Sequence, residues 1–149
     1  MLELIVTSVI TVSSALLFGY WFRYTCLLIL SAKTTRDYAV DIATANQLSF
    51  LEVQTQLRDQ HPADLDRLQA SLDRDFALVT YLIQHASGQG EWGMEDRMLQ
   101  LNYRLMGAWC RVSQRFSAEA GRRALDEMSM IISHFANAMG ERAAAGAAA

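Results

Sequence analysis

One proline, two cysteines and three histidines are all that 149 residues contain of those types, and Lys33 is the single lysine. Each scarcity removes a class of explanation. With arginine supplying nearly all the basic charge, and that charge scattered, no polybasic lipid-binding run exists. A formal net charge of -3 likewise argues against a phosphate-binding surface for nucleic acid, which needs clustered Lys and Arg. Cys26 and Cys110 have no partner at zinc-ligand spacing. They read as free thiols in a reducing compartment. The histidines, His61, His85 and His134, form no Glu-x-x-His motif for a di-metal bundle, and no Cys-x-x-Cys-His motif holds a covalent haem. Alternation of apolar and polar residues is missing throughout, which leaves no half-buried strand.

The scarcest commodity locally is charge. Residues 1 to 31 carry only Glu3 and Arg23, and the nineteen residues from Leu4 to Phe22 carry none. A spanning helix needs roughly 17 to 25 apolar residues, so this run is expected to cross a membrane. A cleaved secretory signal would start with positive charge and have a shorter apolar core; here Glu3 opens the run, and an uncleaved anchor is expected. Arg23, Lys33 and Arg36 follow the span and no Lys or Arg precedes it. The positive-inside tendency then places the remainder of the chain in the cytoplasm, as expected of an inner-membrane, single-pass protein.

Where the membrane ends turns on Arg23. A helix from Leu2 to Leu30 would be about 43 Å long, against a hydrocarbon core of about 30 Å. Tyr20, Trp21, Phe22 and Tyr24 carry rings suited to the headgroup level, and an arginine among them can reach phosphate. That register puts Leu27, Leu28 and Ile29 just outside the bilayer, where an apolar turn requires a protein cover. The shifted register would bury Arg23 and demand an anionic neighbour within the membrane. Small side chains recur at Thr7, Thr11, Ala15 and Gly19, and Arg23 continues the row. Such spacing lets another helix backbone approach. These positions, with Leu27, Leu28 and Ile29, are the expected partner-binding residues.

Beyond Ser31 the pattern turns to amphipathic helix. Thr34 with Asp37 is one cap candidate, and Ser49 with Glu52 in SFLE has the spacing of a capping box. His61-Pro62 interrupts. Three apolar stripes follow: Leu65, Leu68, Leu72, Phe76, Val79, Ile83 and Ala86; then Met94, Met98, Leu101, Leu105, Trp109, Val112 and Phe116; then, after the cap candidate Ser117, Leu125, Met128, Ile132, Phe135 and Met139, with Gly140 as a stop. Each stripe is expected to face a core. The turn GQGEWG matches a dinucleotide-loop pattern by letter, but it joins two helices with no preceding strand, so it reads as an interhelical turn with Trp92 pinning the entry. Asp64/Asp66 and Asp73/Asp75 are two apart and diverge around a helix, which marks solvated faces.

The expected fold is therefore all-α. A transmembrane anchor with a protruding apolar turn occupies residues 1–31 and a juxtamembrane helical connector residues 32–61. An antiparallel three-helix bundle fills residues 62–140, with four helices if the 50–60 segment joins it, and residues 141–149 form a disordered alanine-rich tail, mobile or appended. No enzyme and no cofactor is expected. The expected role is a non-catalytic accessory, assembly or stabilising subunit of a larger bacterial-type membrane complex, respiratory, photosynthetic or secretory, touching integral membrane subunits, the lipid bilayer or a second copy of itself. A membrane-tethered adaptor or signalling module that recruits a cytoplasmic partner is the alternative.

Overall fold

The computed structural model describes residues 1–32, 36–59, 64–86 and 92–148, and among them it contains six helices and no strand. They are α1 (Leu2–Ser31), α2 (Ala39–Asn46), α3 (Phe50–Arg58), α4 (Leu65–Ala86), α5 (Met94–Ser113) and α6 (Ala118–Ala148). Lys33, the Thr34 cap, the His61-Pro62 break and the Gly88–Glu91 part of the GQGEWG turn lie outside the described residues. The chain divides after Ala32 into two compact units.

The first unit is α1 alone. Its 30 residues form one unbroken helix, about 45 Å long at 1.5 Å per residue. It is long and apolar enough to cross a membrane. The threonines do not spoil that character: Thr7 Oγ1 donates to the Glu3 carbonyl at 2.8 Å, Thr11 Oγ1 to Thr7 at 2.8 Å and Thr25 Oγ1 to Trp21 at 2.9 Å. Each hydroxyl is satisfied within the helix, so water is not required.

In the second unit the helices gather on α6, which packs against α5, α4, α2 and α3. Helix directions follow from the residues that meet. Asp73 pairs with Tyr103 and Asp66 with Gln114 (3.0 and 2.7 Å), so α4 and α5 run antiparallel. Arg142 lies 3.5 Å from Asp96 and Cys110 Sγ 3.6 Å from the Gly121 carbonyl, so α5 and α6 do too. The α4 stripe is buried as its spacing predicts at Leu65, Leu68, Leu72, Val79 and Ile83. The α6 stripe is buried at Leu125, Met128, Ile132 and Phe135, joined by Ala124, Ile131 and Ala136, because a central helix is covered on several sides. Trp92 meets Phe135 edge-on with centroids 5.6 Å apart.

The connector is helical, in two short pieces, with α2 closed by Gln47 in the left-handed region at φ 53°. Three expectations are corrected. Ser49 does occupy the N-cap of α3, but the SFLE capping box does not form. Its backbone N–H donates to Asp75 Oδ2 at 2.5 Å, its Oγ accepts from Arg74 at 2.7 Å, and Glu52 accepts from Gln56 instead. A tertiary carboxylate has displaced the local one. Asp75 is accordingly buried at 1% exposure, where a solvated face was expected. Finally, α6 does not stop at Gly140; it runs through the alanine-rich tail to Ala148. Alanine is the strongest helix former, and Gly140 keeps a helical backbone because its role is packing. A Cβ there would fall 2.6 Å from Tyr38 Cγ, and the Tyr38 N–H donates to Asn137 Oδ1 at 2.7 Å one turn earlier.

Candidate functional site

Two surfaces hold the residues of interest. On α1 every residue from Met1 to Trp21 is exposed. Thr7, Thr11, Ala15 and Gly19 therefore lie open, and a Cβ added at Gly19 would meet nothing within 4 Å. A four-residue repeat advances about 40° around an α-helix at each step, so this row winds. Thr7 and Arg23 end up about 160° apart, and only short runs such as Ala15, Gly19 and Arg23 share one face. Tyr20 and Tyr24 stack with centroids 6.4 Å apart, Trp21 is exposed, and Phe22 is buried. Arg23 and Ile29 are half-buried, while Leu27 and Leu28 are exposed.

The second surface overturns an expectation. The stripe of α5 that periodicity assigns to the core points outward: Met94, Leu101, Leu105, Trp109, Val112 and Phe116 are exposed, from 45% at Leu105 to 86% at Phe116. The inward face is Leu99, Asn102, Tyr103, Gly107, Cys110 and Ser113. Its polar groups are all bonded. Asn102 Nδ2 donates to Glu127 Oε1 at 2.6 Å, Tyr103 Oη to Asp73 Oδ1 at 3.0 Å and Ser113 Oγ to the Cys110 carbonyl at 3.4 Å. Small residues on that side allow close approach, and Gln69 Nε2 reaches the Gly107 carbonyl at 3.1 Å. Cys110, expected beside a core-facing Trp109, is itself the buried member of the pair.

Between α4 and α5 runs a groove of about 490 Å³, floored by Phe76 and Tyr103 and edged by Asp73, Arg104 and Arg111. The two floor rings stack with centroids 3.8 Å apart. Burial, and then the neighbouring Asp73, push the Tyr103 phenol far up, so it serves as a hydrogen-bond donor. Burial raises the Cys110 thiol as well, which keeps it out of the nucleophilic thiolate form. Burial also lowers His134, against the pull of Asp96 and Glu95, while His85 Nδ1 lies 2.9 Å from the Tyr81 carbonyl. Among the described residues no three His, Cys, Asp or Glu side chains converge as a metal site would require. The arrangement offers contact surfaces with satisfied polar groups beneath them.

What sequence reasoning missed is the flank of the α5 row. Arg97, Arg104 and Arg111 are all exposed, and at about 100° per residue they fall within one narrow sector beside the apolar stripe; the exposed Arg115 follows in the turn after Ser113. The seven-residue spacing of the first three is visible in the sequence and could have revealed them. No family model matches the chain, nor does any curated protein or solved structure.

Proposed function

We propose that this chain is a non-catalytic, single-pass accessory subunit of a membrane protein complex, anchored by α1 and presenting a three-helix bundle of α4, α5 and α6 on the cytoplasmic side. The carrying observation is α1: it is 30 residues long, nearly free of charge, and exposed on all sides over its first twenty residues. An apolar surface of that extent is stable only against lipid or other apolar helices. On this reading Ala15 and Gly19 allow a neighbouring helix to come close, the rings of Tyr20, Trp21 and Tyr24 lie at the headgroup level, and Leu27 and Leu28 meet a neighbouring subunit.

Extraction in mild detergent tests it. Stoichiometric integral membrane proteins should co-purify, and Ala15→Leu with Gly19→Leu should weaken that association while insertion persists. A chain that extracts alone, or unchanged association in both variants, would remove the reading. Orientation needs a separate probe, because Cys110 is buried and would resist a thiol reagent on either side. A cysteine placed at Glu119, which is exposed, should label only after lysis. The alternative of an adaptor for a cytoplasmic partner draws its support from the outward α5 row, and co-purification of a soluble protein in place of membrane subunits would favour it.

A further inference from the structure

The outer face of α5 has a more specific geometry than exposed hydrophobicity. Met94, the half-buried Met98, Leu101, Leu105, Trp109 and Val112 follow one another along α5 by four, three, four, four and three residues, and the exposed Phe116 comes in the turn just beyond Ser113. The helical steps average about 3.6 residues, so the row runs almost straight along the helix with little supercoil. It stays within about 80° of the helix circumference. Its borders differ. One side is closed by Asn102 and Ser113, polar residues already buried in the bundle. The other is lined by Arg97, Arg104 and Arg111, all exposed. Among the described residues Arg111 has Asp73 at 3.9 Å, a long and exposed contact that leaves its charge largely available.

We propose that this face docks an amphipathic helix of a partner protein that carries a row of carboxylates along one flank. The inference rests on the accessory-subunit reading and names the chemistry of one neighbour. Width selects a helix: the seam is one row across and bounded by polar groups, which matches the narrow apolar stripe of a packed helix pair. Charge selects the partner. Arginines two turns apart beside an apolar seam pair with acidic flanking positions on the facing helix and repel basic ones. A second copy meeting this face antiparallel would set one arginine row against the other, which opposes self-docking. An anionic bilayer would satisfy the charge, yet interfacial helices present a broad apolar face with basic residues over the polar side. Here the arginines occupy one flank only.

The test uses the full chain in nanodiscs of zwitterionic phosphatidylcholine and two stapled helical peptides of about 22 residues, matching the length of the seam. Both carry leucine along the facing stripe; one has glutamate along one flank and the other lysine. The glutamate peptide should bind about tenfold or more tightly than the lysine peptide at about 50 mM salt, and the margin should shrink at about 500 mM. Arg97→Glu with Arg104→Glu should reverse the preference, and Leu105→Ser with Val112→Ser should weaken both peptides about tenfold. These positions are exposed, and unchanged thermal unfolding of the variants confirms that the fold is intact. Equal binding of the two peptides, or a glutamate preference that survives arginine reversal, would overturn the proposal. Concentration-dependent disulfides between chains carrying Leu105→Cys, without peptide binding, would assign the face to a second copy. Recruitment of phosphatidylglycerol vesicles that the arginine variants abolish, again without peptide binding, would assign it to lipid. Gly19→Leu should leave peptide binding unchanged, so failure of this proposal is distinguishable from failure of the membrane-subunit reading, which is scored by co-purification.

Discussion

Helices α5 and α6 lie side by side and use their apolar residues in opposite ways. Over residues 121–140, α6 buries most of its large apolar side chains against several neighbours, and Phe135, Met128, Ile131 and Ile132 have no exposure, while Met130 is exposed. By contrast α5 turns polar and small residues toward α6 and leaves its longest apolar row in solvent. The difference teaches that amphipathicity identifies a face to be covered without identifying the cover. The inward side of α5 sets Leu99 and Tyr103 among small and hydrogen-bonded polar residues, and its outward row stays exposed.

The largest expected effect tests that contrast directly. Phe135→Ala should cost about 3 to 5 kcal/mol, as expected for a buried aromatic that leaves a cavity. Trp109→Ala should change stability by about 0.5 kcal/mol or less, as for an exposed site. Urea unfolding of the full chain in detergent, followed by helical circular dichroism, measures both. Equal losses would mean that Trp109 is buried in the folded chain and would break the comparison.

Gly140→Ala sharpens the account of α6. Helix propensity alone favours alanine by about 1 kcal/mol, but the new Cβ would collide with Tyr38. The expected net effect is a destabilisation of about 1 to 3 kcal/mol, relieved by Tyr38→Gly in the same chain. A stabilised Gly140→Ala variant would restore the view of Gly140 as a simple helix terminator.

Asp75 supplies a pH test of a buried polar contact. Burial raises its carboxyl from the ordinary 3.8, although Ser49, Phe50 and Arg74 pull the other way. A folded value above the unfolded one means that the folded chain holds the proton more tightly. The stability contributed by this group is full below the ordinary carboxylate range and is lost as pH rises through the raised value. Asp75→Asn should flatten that slope in urea midpoints measured from about pH 3.5 to about pH 7. Asp75→Ala should cost about 1 to 3 kcal/mol by leaving the α3 N-terminal N–H groups without an acceptor.

The smallest effect separates the two caps proposed for α3. Glu52→Ala should be neutral within about 0.5 kcal/mol, since Glu52 bonds Gln56 on an exposed surface. A working capping box would lose about 1 kcal/mol, so a loss of that size in the same urea unfolding would return the cap to the local sequence.

The sequence by itself determined the elements and the division of the chain. Nineteen uncharged residues dictate a long apolar helix because no soluble side chain interrupts it, and periods of three and four dictate helices because an α-helix has 3.6 residues per turn. It also determined the buried stripes of α4 and α6, where the apolar row is the only strong face. Tertiary structure decided the rest. The orientation of α5 depended on whether its apolar row or its small, bonded side met α6, and both sides have helical spacing. Asp75 displaced Glu52 at Ser49 because a residue 26 positions away in sequence was brought within hydrogen-bond reach, and Gly140 continued its helix because Tyr38 packs over it. Even the arginine flank, visible as a seven-residue spacing, became a surface only when packing left that side of α5 outward. Local pattern sets what each segment can form; which face is covered depends on neighbours distant in the chain, and that energy has no local trace.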